Sequence, residues 1–114
     1  MKLKMANTSR ILFENLVLAK TIFSRTLGLM GKKSLPQEEA WWFTDCKALQ
    51  TTFMRFPIDC VFVDSKGKIV EIYHDVKPWR IAGPVWEASG AIEMVAGMAK
   101  QKNLNIGDIV ECGP

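Results

Sequence analysis

A single histidine, one tyrosine and three cysteines among 114 residues leave little raw material for metal binding or thiol chemistry. Cys46, Cys60 and Cys112 are odd in number and widely spaced, which excludes a disulfide framework and a CxxC redox motif. A zinc site would have to gather all three with His74, so no metal and no cofactor is expected. No run approaches the roughly 20 apolar residues of a membrane span. The opening "MKLKMANTSRILFENLVLAK" is interrupted by Asn7, Arg10, Glu14 and Asn15, so no secretory signal is read there, and a cytoplasmic protein without membrane contact is the expectation. No block of one charge exists either. Fifteen basic and 12 acidic residues give a net charge of +3, and the lysine pairs of "GKKS" and "AKQKN" read as solvated surface, not as a nucleic-acid footprint. There is no repeat and no linker.

What is present suits one folded domain over residues 1–114: 48% hydrophobic and 24% charged residues build a single core under an ordinary surface. Residues 11–20, "ILFENLVLAK", read as a strand with Leu16 and Leu18 on one face and Val17 and Ala19 on the other. The period then changes. In "TIFSRTLGLMG" the apolar residues fall at helical spacing, with Thr21 as cap and Gly31 as stop. "SLPQEEA" is a polar loop and "AWWFTDC" a strand with aromatic residues on both faces, leaving Cys46 at its open end. "IDCVFVD" and "KIVEIYH" flank "SKG" as a hairpin, with Gly67 freeing the turn. The first hairpin strand is apolar on both faces and so belongs inside a sheet. Residues 76–90 are irregular, "AIEMVAG" is a strand, "MAKQKN" a short helix, and "IGDIVEC" a turn with a closing strand. The fold class is mainly β (α+β): a compact jelly-roll-like sandwich or small barrel with one or two short helices.

The chemically loaded residues are few. Asp59 shares a strand face with Val61 and Val63 and must be at least half buried, so it needs a cation or several N–H donors. Arg25, from the predicted helix, is the candidate for a structural ion pair with it; Arg55 and Arg80 are further possibilities, and backbone donors alone are the other solution. Cys60 alternates with Ile58 and Phe62 as core. A Cys46–His74 thiol pair is conceivable, but no spacing demands it. "KPWR" places Trp79 between cations in a proline-bearing loop, where an aromatic ring beside positive charge can hold an anionic or ring-bearing ligand.

With these residues in view, the sequence resembles the prokaryotic domain-of-unknown-function family numbered 192. The resemblance lies in "SRTLGLMGKKSL", "TTFMRFPIDCVFVDSKGKIV" and "VKPWR", followed by "AIEMVAG" and "NIGDIVE", and covers about residues 16–112. It implies a compact, mainly β fold, and gives prominence without a role to Arg25, Gly28, Leu29, Met30, Met54, Pro57, Asp59, Asp64, Pro78, Trp79 and Gly107. It supplies no reaction. Gln50 stands where relatives often carry a histidine, and the export leader or lipoprotein signal of many relatives is not found here.

The expectation is therefore a non-enzymatic ligand-binding module, a monomer or weak dimer, whose partner is a small molecule or a protein. Its groove is expected near Trp79, Arg80, Lys77, Gln50 and Met54. The alternatives are a hydrolase or transferase using Asp59 or Asp64 with Arg25 and Gln50, and a protein-interaction domain using an exposed tryptophan of the Trp41-Trp42 pair.

Overall fold

The run Ile58–Val63 contains no side chain that tolerates solvent on either face except Asp59, and all six residues are buried. In the computed structural model, which describes residues 1–19, 34–52 and 54–114, this run is an inner strand. In chain order the strands are β1 (Lys2–Met5), β2 (Ile11–Phe13), β3 (Asn15–Ala19), β4 (Glu39–Thr44), β5 (Leu49–Gln50), β6 (Ile58–Val63), β7 (Ile69–Val76), β8 (Ile81–Ala82), β9 (Gly90–Val95) and β10 (Val110–Gly113). One short helix, α1 (Met98–Gln101), follows β9. The main sheet has the order β3-β4-β9-β6-β7, and only the β3–β4 pair is parallel. A three-stranded sheet, β10-β1-β2, and a two-stranded sheet, β5-β8, complete it.

Strand alternation sends the main sheet's side chains into two cores. On one face Ile58, Cys60, Phe62, Phe43 and Ala91 meet Leu49, Ala82, Val85 and Ala88 from the β5-β8 side. On the other, Val61, Val63, Ile92, Met94 and Ala40 meet Leu3, Phe13 and Val110 of the three-stranded sheet, with Met98 and Ala99 of α1. The molecule is thus mainly β and layered, with open sheets instead of a closed barrel.

The hairpin, the strand after it, the short helix and the closing strand all lie where the sequence puts them. Two readings are corrected and one strand is added. Residues 11–19 form two strands, because the chain leaves β1 at Glu14 to join the main sheet, and Leu18 at that sheet's edge is 37% exposed. Lys2–Met5, "KLKM", is a strand with its apolar residues buried. Cys46 is buried, its thiol donating to Ala48 O at 3.1 Å. The helix read over 21–31 lies outside the described residues, as does Arg25.

Candidate functional site

Asp59 is fully buried on the face that packs against α1. Its Oδ1 accepts the Asp75 amide N–H at 2.9 Å, and its Oδ2 accepts those of Gly97 at 2.9 Å and Ala99 at 3.0 Å. Both partner segments are irregular. Opposite Asp59 the β6–β7 register slips, so that His74 and Asp75 stand against one residue, with Asp75 at φ 51°. Gly97, at φ 94°, offers α1 no side-chain cap, and Asp59, on the strand neighbouring β9, accepts the Ala99 N–H that a capping side chain would otherwise take, together with the N–H of Gly97 itself. Backbone donors alone therefore occupy both oxygens of Asp59 in the described residues. Asp64 is likewise tied to backbone: Oδ1 accepts the N–H groups of Lys66 at 2.9 Å and Lys68 at 3.0 Å, closing the β6–β7 turn. The Lys68 amide first, then that of Lys66, hold its carboxyl below the usual carboxylate range.

A second fully buried carboxylate, Glu93, stands on β9 between Trp41 and Cys60 in register. Sequence reading passed over it within "AIEMVAG"; the signal available was its place in a run otherwise fit for an inner strand.

The loop around Trp79 is built on Thr51, which is fully buried. Its hydroxyl donates to Lys77 O at 2.6 Å and accepts the Arg80 N–H at 2.8 Å. Its backbone N–H donates to Arg80 O at 2.9 Å and its carbonyl accepts the Trp79 N–H at 3.2 Å. Four contacts to one residue hold Trp79 at φ 64°, a left-handed backbone that costs a bulky residue about 1–2 kcal/mol. The residue as a whole is 61% exposed.

Of the expected site residues, Trp79, Arg80 and Gln50 come together here: Gln50 pairs with Ile81 in the β5–β8 register, directly beyond the loop, and its Oε1 accepts the Thr52 hydroxyl at 3.3 Å. Arg80 donates to Trp79 O at 3.3 Å. Lys77 is exposed, with its ammonium 2.9 Å from Asp75 Oδ2. Met54 donates its N–H to Thr51 O at 3.1 Å, but its side chain is buried in the core beneath the loop. Trp41 and Trp42 are both half-buried, packed against opposite cores; neither is the exposed ring expected of that pair. The strongly exposed tryptophans are Trp79 and Trp86. Among the described residues no group of three or more His, Cys, Asp or Glu is placed to hold a metal ion, and no helix is long and apolar enough to cross a membrane.

The chain belongs to the domain-of-unknown-function family 192, described as "Uncharacterized ACR", whose model matches residues 3–112 and so takes in β1. It is 37% identical over 59 residues to the UPF0127 protein of Pyrococcus abyssi (strain GE5 / Orsay), a match covering 52% of this chain and 50% of that relative; the chain thus spans about half the relative's length. It is similar to the crystal structure of a protein of unknown function from Novosphingobium aromaticivorans DSM 12444, with a TM-score of 0.83 at 23% identity over 98% of this chain and 84% of that one. A second crystal structure, from Sinorhizobium meliloti 1021, carries a description that proposes a transcription regulator; its TM-score is 0.79 at 23% identity, over 96% and 89% of the two chains. At that identity both likenesses establish the fold alone.

Proposed function

We propose that this chain is a non-enzymatic ligand-binding module whose contact surface is the Lys77–Arg80 loop with Gln50 beside it. The observation that carries the reading is Trp79: a large aromatic residue, 61% exposed, on a backbone conformation that a tryptophan disfavours and that Thr51 enforces. Local strain held by surrounding structure is a mark of functional loops, and a loop backbone fixed before binding loses little entropy when a ligand arrives. The neighbouring guanidinium of Arg80 adds positive charge, so the fitting ligand combines a ring or apolar group with a negative charge. Of the carboxylates that a hydrolase or transferase would use, Asp59 has both oxygens committed to backbone amides and Asp64 has its Oδ1 committed to two of them. The free thiols of Cys46, Cys60 and Cys112 suit a reducing compartment, and we place the module in the cytoplasm.

Two-dimensional NMR titration of the full chain with phenyl phosphate and benzoate tests this. Saturable shifts at the Trp79 indole and the Arg80 and Gln50 amides, absent in Trp79→Ala and without product formation, are expected. Shifts elsewhere only, or turnover of a probe, would overturn it.

A further inference from the structure

We infer that the ligand of this surface is an acidic protein segment bearing an apolar anchor, and that the surface extends from Trp79 through Ile81 to Trp86. The inference rests on the binding-module reading and narrows its ligand. Trp79, Ile81 and Trp86 are 61%, 68% and 74% exposed, three large apolar side chains within eight residues. A small-molecule site encloses most of its ligand in a concavity, which side chains standing so far into solvent do not provide; a protein partner can cover them. Tryptophan together with arginine is the composition of interface hot spots.

The backbone carrying these side chains is fixed at both ends. Thr51 holds Trp79 and Arg80 as described. At the other end the Lys47 ammonium donates to Trp86 O at 2.8 Å and Ala88 O at 2.6 Å, while the Lys47 carbonyl accepts the Val85 N–H at 2.8 Å. Between them Gly83, at φ 98°, lies so close to Lys47 O that a Cβ would stand 2.7 Å from it. The anchors are therefore presented on a prepared frame, which lowers the ordering cost of association.

Charge selects the partner. Lys47 donates only to carbonyls among the described residues, Arg80 to a carbonyl, and Arg55 is exposed on the adjoining loop; Lys77 is offset by Asp75, and the exposed acids beside the strip are Glu87, next to Trp86, and Asp45, two residues from Lys47. The excess is positive, so Asp and Glu flanking an apolar anchor complement it, and basic segments are repelled.

The test is selection of peptides from a random phage library on the full chain, followed by NMR titration of a synthetic selected peptide, with phenyl phosphate as a parallel probe. Enrichment of Asp and Glu around an apolar residue, shifts spanning Trp79 to Trp86, weakening as salt is raised, and about tenfold weaker binding in Trp86→Ala are expected. All three anchors are exposed, so their alanine variants should keep the wild-type fold, checked by circular dichroism. If phenyl phosphate shifts the Trp79 loop but selected peptides are absent, basic, or bind elsewhere, the acidic-segment inference falls and the module stands. If neither probe engages residues 77–80, both fall.

Discussion

Asp59 shows how one side chain can organise two irregular segments. Its three N–H donors lie on a bulge and on a helix start, places where backbone groups would otherwise lack partners. Asp59→Ala should cost about 3 kcal/mol in chemical denaturation, chiefly because the buried Ala99 N–H loses its acceptor while the part-buried donors can find water. A midpoint within experimental error of wild type would show that these amides find other partners. Asp64 makes a different prediction. Its folded-state pKa is lowered by the Lys68 and Lys66 amides, so its stabilisation is present above the unfolded carboxylate value and disappears as pH falls through the folded one. The stability gap between wild type and Asp64→Ala should therefore close as pH drops through the acid range; a gap independent of pH would contradict the turn's role. Asp59's burial was legible from its valine neighbours. Its donors were not, because they come from segments 16 and 38–40 residues distant, and distance in sequence carries no sign of contact.

Glycine separates conformational strain from steric exclusion at the scale of elements. Gly97 and Gly67 both have φ in the left-handed region, at 94° and 82°. A Cβ on Gly97 meets nothing within 4 Å, whereas one on Gly67 runs into the Val110 carbonyl, where β10 crosses the hairpin turn and Val110 N–H donates to Gly67 O at 2.9 Å. Gly97→Ala should cost about 1 kcal/mol from backbone strain, and Gly67→Ala about 3 kcal/mol from strain together with displacement of β10. Equal losses in thermal melts would refute the distinction. The hairpin was plain in the sequence because its turn and its apolar alternation agree. The two-residue strands β5 and β8 were not, since two residues show no period, and their pairing is set by Thr51 closing the adjoining loop.

Across the whole molecule, the main sheet is an inner layer, and the surface proposed for binding lies on the side covered by β5-β8 and the loops around it. Trp79 and Arg80 were legible as loop residues of mixed aromatic and cationic character. Thr51 was not, since nothing in "QTTFM" distinguishes a buried hydroxyl from a solvated one. Its burial makes a decisive experiment possible, because it should shape the surface without contributing atoms to it. Thr51→Val removes the donor to Lys77 O and the acceptor of Arg80 N–H, at a stability cost of about 2 kcal/mol. Calorimetric titration of phenyl phosphate into wild-type and Thr51→Val protein, each confirmed folded, measures what that frame is worth. About tenfold weaker binding in the variant is predicted; affinity equal to wild type would mean that the Trp79 loop is not prepared in advance for its ligand.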